Sequence, residues 1–252
     1  MDDINLIKPH LTRLKLTGLL DNLDCRLRQA REHRWSYSRF LSVIITDETQ
    51  RRENKKLARR LIKSSLDGSK TFEAFDFVFN SKIPELAFRE LATCQFLNQT
   101  ENILLLGPSG VGKSHLAQAL GHEAVRLGHD VRFERTNALM KWLWSGHGDG
   151  THERRLRDVC RCPLLILDDF GLEPLSVDLQ TDLYEIICRR YEKQSLIITS
   201  NRNFDEWPTI FDNPLLGSAA MDRLIHRASK FELLGKSYRV EGFVNRQRGE
   251  KK

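Results

Sequence analysis

"LLLGPSGVGKSHLAQAL", residues 104–120, sets a glycine-rich, cationic loop between two apolar runs. The spacing Gly107-x-x-x-x-Gly112-Lys113-Ser114 is that of a phosphate cradle. Glycines let successive backbone N–H groups turn onto an anion, a lysine reaches the β- and γ-phosphates, and a serine hydroxyl suits magnesium. The flanks agree. "ENILLL" before the loop reads as a buried strand; "SHLAQALGHEAVRLG" after it is apolar at helical spacing and stops at Gly128. The N-terminus of that helix adds partial positive charge beneath the phosphates. The stretch predicts a nucleoside triphosphate site on a strand–loop–helix unit.

The 252 residues, 40% hydrophobic and 29% charged, suit a soluble protein with one large domain and a small appendage. No apolar run has the length of a membrane span, and "MDDINLIKPH" lacks a signal-peptide core, so a cytoplasmic protein with no membrane partner is expected. The cysteines, at 25, 94, 160, 162 and 188, show no pattern of metal ligands and read as reduced thiols, the Cys160–Cys162 pair included. Charge is unevenly spread. Residues 1–66 hold 15 Lys and Arg against 8 Asp and Glu, a net +7; the other 186 hold 25 against 26, a net −1. A basic N-terminal quarter is expected either of a nucleic-acid-binding appendage or of a solvated helix face.

That quarter is rich in Leu, Arg, Lys and Glu, with one glycine, Gly18, and no proline after Pro9, and reads as helical throughout. Ser36 or Ser38 is placed to cap a long helix that starts at "FLSVII" and turns basic at "RRENKKLARRLIK". Arg52, Lys56, Arg60 and Lys63 share one face of it, and Leu57 and Leu61 lie on another. "SSLDGSKT" breaks the pattern, which puts a boundary between a helical domain, 1–66, and the remainder, 67–252. Beyond it, strands expected at 102–106, 130–135, 163–169 and 196–201 alternate with helices near 114–127, 137–145, 152–160 and 178–192. Continuous apolar strands separated by helices predict an α/β fold, a parallel sheet with helices on both faces.

"LLILDDFG", 164–171, supplies the second half of the site: four apolar residues, then Asp168 and Asp169 at the C-terminal edge of a buried strand. Asp168 is expected to hold magnesium through water, and Asp169 to orient the attacking water. The next strand ends "IITSNRN", which brings Thr199, Ser200 and Asn201 to the same edge, where an amide can sense a γ-phosphate.

Together with "MDRLIHRA" and "GKSYR", these motifs resemble the AAA+ ATPases of the DnaA/DnaC clade, and within it the IstB-like helpers of insertion-sequence transposition. "LKLTGLLDNL", "KKLARRLIK" and "FDFVFNSKIPE" extend the resemblance over nearly the whole chain. It implies a P-loop ATPase that uses ATP and Mg2+. Gly107, Pro108, Ser109, Gly110, Val111, Gly112, Lys113 and Ser114 become Walker A, with His115 beside them; Asp168 and Asp169 become Walker B and Asn201 sensor 1. Arg223 falls at the position of an arginine finger that reaches a neighbouring subunit's γ-phosphate, with Arg227 as rival. Only 25 residues follow Arg227, so the helical lid common in AAA+ modules is expected to be truncated or absent, without a second sensor. The resemblance also turns Arg154, Arg155 and Arg157, in "HERRLRD", toward nucleic acid.

The implied function is ATP-dependent assembly on duplex DNA, as a homo-oligomer with ATP between subunits, and recruitment or stimulation of a transposase. A helicase loader of the same clade is the near alternative; the basic N-terminal helices favour DNA. A small-metabolite kinase is the reading from another class, and no arginine-rich lid beyond the P-loop supports it.

Overall fold

The computed structural model describes residues 3–238, 240 and 241, and the chain divides into two units between Arg59 and Arg60. Arg239, which ends "GKSYR", lies outside the described residues.

The first unit is helical: α1 (Asp3–Arg13), α2 (Thr17–Glu32) and most of α3 (Tyr37–Ser64), which crosses the division. Ser36, not Ser38, caps α3, its hydroxyl accepting from the Arg39 amide at 3.3 Å. The start of α2 is capped from α3. Glu48, 5% exposed, accepts from the amides of Gly18 at 2.6 Å and Leu19 at 3.3 Å, and from Arg52 Nε at 2.6 Å. Gly18 permits this approach, because a Cβ there would stand 2.8 Å from Glu48 Oε2. Arg26 grips Asp47 with two nitrogens, each at 2.8 Å.

The second unit carries α4 (Glu85–Leu91) and α5 (Gln95–Asn98), then β1 (Asn102–Leu106), α6 (Lys113–Arg126), β2 (Val131–Arg135), α7 (Thr136–Ser145) and α8 (His152–Arg161). β3 (Leu164–Asp168), α9 (Val177–Arg190), β4 (Ser195–Ser200), a 3-10 turn (Phe204–Ile210), α10 (Pro214–Ile225) and β5 (Ala228–Glu232) follow. The strands form one parallel sheet in the order β2-β3-β4-β1-β5.

Every residue of β1, β3 and β4 is buried, because both sheet faces are covered. Leu104, Leu106, Leu165, Leu167, Leu196 and Ile198 share a core with α7, α8, α9 and α10. The alternate residues face α6; Gly121 lets that helix come down on Ile166. The sequence suggested four of the five strands. The fifth, "ASKFE", has no apolar run because it is a half-exposed edge strand, and pairing with β1 from Asn102↔Ala228 to Leu106↔Glu232 is what makes it a strand. It occupies the chain just past Arg227, where a lid would begin.

Arg190 is the most deeply buried charged side chain among the described residues, 1% exposed. It donates to the carbonyls of Val159 at 2.9 Å, Cys162 at 2.8 Å and Ser195 at 2.5 Å, joining the end of α8 to the starts of β3 and β4. Burial pulls its guanidinium pKa down to about 10.

A nucleotide-type cavity at the carboxyl edge of the sheet

β1, β3 and β4 end together, and their loops build the site where parallel sheets bind ligands. The loop after β1 is pinned by its first amide, Gly107 N donating to Ser200 O at 3.2 Å. Gly110 and Gly112 have φ of 84° and 109°, backbone open to glycine, and a Cβ on Gly112 would stand 2.6 Å from the Phe75 ring. α6 then starts at Lys113, aiming its N-terminal amides into the loop.

Lys113, 5% exposed, donates from Nζ to the carbonyls of Gly107 at 2.7 Å and Pro108 at 2.8 Å and to Asn201 Oδ1 at 2.6 Å. The lysine and the asparagine, 88 positions apart, thus meet directly. At the end of β3, Asp168 is buried; the Thr199 hydroxyl donates to its Oδ1 and the Thr136 hydroxyl to its carbonyl at 2.9 Å. The same Thr199 oxygen accepts from the Asp169 amide at 3.1 Å, so one hydroxyl of β4 orders both aspartates. Asp169 has φ 55°, a left-handed turn that short carboxylates tolerate and that swings its side chain off the strand.

These residues open on a cavity of about 430 Å³ lined by Ser109, Gly110, Val111, Gly112, Lys113, Ser114, His115, Asp169 and Asn201. Asp168 supports Asp169 from the strand end and is not among the lining residues. The far wall comes from segments the motif reading did not assign: Phe75, Asp76, Phe79 and Asn80 from the chain before α4, and Tyr238. Phe75 meets His115 edge-on with centroids 5.1 Å apart, Phe79 meets Tyr238 likewise at 5.0 Å, and the Tyr238 amide donates to Gly110 O at 3.0 Å. His115 Nε2 lies 2.8 Å from the Thr71 carbonyl, and burial pushes its imidazole pKa down. The signal available in sequence was four phenylalanines in "FEAFDFVF", 72–79, a density that a solvated linker does not need.

The cavity joins an aromatic wall to a floor of inward backbone, Lys113 and hard oxygen donors, with Lys70 also on its lining. That set suits a base at one end and phosphates at the other, and the Ser114 hydroxyl and Asp168 carboxylate are oxygen ligands of the type magnesium takes.

The other expected residues lie elsewhere. Arg223, on α10, donates to Ala219 O at 2.8 Å and lies over the Tyr184 ring; Arg227 is exposed beside Glu192 at 3.8 Å. Neither lines the cavity. On α8, Arg154 and Arg157 are exposed, whereas Arg155 pairs with Asp149 at 2.9 Å and stacks on Trp142, holding the α7–α8 turn. On α3, Lys56 and Lys63 are exposed; Arg52 is paired with Glu48, and Arg60 with Asp130 at 3.1 Å.

The family model for IstB-like ATP binding proteins matches residues 9–245. The chain belongs to that family. It is 41% identical over 230 residues to a Mycobacterium tuberculosis protein named as an ATP-binding protein of an insertion sequence, covering 91% of this chain and 92% of that one. An IS21 ATP-binding protein of Pseudomonas aeruginosa is 37% identical over 231 residues, 92% of this chain and 87% of the relative. Among solved structures, the DnaC helicase loader superposes with a TM-score of 0.53 at 25% identity, covering 59% of this chain and 87% of that one. AMPPCP-bound DnaA from Aquifex aeolicus superposes at 0.55 with 22% identity, over 73% of this chain and 56% of that one, which shows the shared AAA+ fold. The IstB-like chain is thus an ATP-binding AAA+ protein, and no helix among the described residues is long and apolar enough to cross a membrane.

Proposed function

We propose that this IstB-like protein hydrolyses ATP as a homo-oligomer on duplex DNA and thereby recruits or stimulates a transposase in insertion-sequence transposition, in the cytoplasm. The observation that supports the reading is the cavity's donor set: Lys113, Asp169 and Asn201 converge on it, and among the described residues no arginine lines it. Charge spreading over a γ-phosphate in transfer calls for a further cation, and Arg223 on the next subunit supplies it. Lys113 and the loop amides hold the phosphates, Asp169 orients water, and Asn201 senses the γ-phosphate while sharing Lys113. Magnesium would be held by the Ser114 hydroxyl and, through water, by Asp168, and would offset phosphate charge. Lys56, Lys63, Arg154 and Arg157 contact DNA phosphates, with Arg52 and Arg60 beside them; Arg155 keeps its turn in place.

A mixing experiment tests the shared site. Arg223→Ala protein binds ATP but hydrolyses it about 10³-fold more slowly or worse, the scale of a lost arginine finger. Mixed with Lys113→Ala protein it regains activity, because the lysine-less chain lends its Arg223 to a neighbour with an intact loop. A mixture that stays inactive while both variants co-assemble removes Arg223 from the site and moves the role to Arg227. Likeness to the DnaC loader supports a second reading, helicase loading. Co-purification with a replicative helicase rather than a transposase would select it.

A further inference from the structure

Away from the nucleotide cavity, three side chains converge where α7, α8 and α9 meet. His147 lies in the turn "GHGDGT", His152 is the first residue of α8, and Asp182 is on α9. The two imidazole rings stack with centroids 3.8 Å apart, and His152 Nε2 lies 2.7 Å from Asp182 Oδ1. One ligand atom from each of the three falls within 4.8 Å of the others. None of them lines the P-loop cavity.

A second observation sets this apart from an ordinary histidine–aspartate pair. Asp182 is 6% exposed, and its other oxygen, Oδ2, is buried with no hydrogen-bond partner. A buried carboxylate oxygen left unpaired is costly, because it has lost water and gained nothing. A cation at this position satisfies it. The mouth is open: His147 is exposed, as are the flanking Gly148 and Gly150.

We propose that His147, His152 and Asp182 form a zinc site, with water completing the shell. Two imidazoles with one carboxylate favour zinc and its borderline neighbours over magnesium, whose ligands are all oxygen. The ion ties the α7–α8 turn to α9 and so fixes the start of α8, the helix that carries Arg154 and Arg157. It is a structural clip separate from the ATP-linked metal, and its test does not depend on turnover.

Full-length protein is stripped with chelator and titrated with zinc against a chromophoric competitor, then with cobalt while visible spectra are recorded. One equivalent binds, the cobalt complex lacks thiolate charge-transfer bands, and zinc raises the melting temperature. His147→Ala is the decisive variant because its side chain is exposed and the fold does not rest on it; unchanged circular dichroism and nucleotide affinity verify that. It weakens zinc binding by more than the roughly 10–100-fold that loss of an outer-shell partner costs and abolishes the thermal shift. Asp182→Asn does the same. Failure of wild-type protein to retain zinc at micromolar concentration, undiminished binding in His147→Ala, or thiolate bands from the five cysteines each overturn the site.

Discussion

In the α/β unit every residue of three central strands is buried, whereas in the 28-residue α3 only Ile44, Glu48 and Ser64 are. The sheet is specified by apolar area removed from water, which carries no charge for pH or dilute salt to act on. The helical unit buries few apolar side chains and is joined by directed polar contacts, Arg26 to Asp47 and Glu48 to the start of α2. The contrast teaches where each kind of perturbation acts: cavities and lost donors in the first, charge and ionic strength in the second.

The largest effect expected on stability is at the exception to that division, the buried Arg190. Arg190→Met keeps volume but leaves the carbonyls of Val159, Cys162 and Ser195 without their donor. A loss of about 3 kcal/mol in chemical denaturation follows. A neutral result would mean the sheet's apolar packing alone fixes that corner.

Next is Lys113→Ala. Charged hydrogen bonds are each worth about 1.5–3 kcal/mol, so ATP affinity falls roughly 10- to 100-fold by calorimetry. The melting temperature of the nucleotide-free protein should change far less, since Lys113 serves a site more than a core.

Reversing Lys56 and Lys63 to Glu acts on the other region. Each lost phosphate contact removes about 0.9 from the slope of log affinity against log salt, so the double variant flattens the slope by nearly 2 and weakens DNA binding roughly tenfold near physiological salt. ATP binding stays as it was. An unchanged slope would make the basic stripe a solvated face.

The smallest effect is local. Glu48→Ala removes the acceptor for two amides of α2 and costs about 1–2 kcal/mol, read as faster hydrogen exchange in α2 alone. In the native protein burial opposes the Glu48 charge, but hydrogen bonds from Arg52, Gly18 and Leu19 outweigh it and hold the carboxyl below its ordinary 4.5. The depressed folded pKa means its contribution is present above about pH 4.5 and lost as pH falls through the lower folded value. Exchange in α2 should therefore quicken, relative to β1, as acid is added, and the variant should lack that dependence.

The sequence determined by itself what rests on local pattern and backbone chemistry. The P-loop was legible because Gly107, Gly112, Lys113 and Ser114 must sit at one spacing to wrap a phosphate, and the central strands because doubly covered strands are apolar without interruption. Asp168, Asp169 and Asn201 could be placed at one edge because parallel strands all end there. Tertiary structure alone decided the rest. β5 is a strand through its pairing with β1, not through its composition. The aromatic wall of Phe75, Phe79 and Tyr238 joins chain segments more than 150 residues apart. Thr199 was visible as a strand residue, but its bridge to both aspartates needs β3 and β4 in register. Arg155 reads as one more surface cation until Asp149 and Trp142 are seen around it. In each case the side chain's energy depends on partners brought near by loop closure over long separations, and no local period or spacing encodes that.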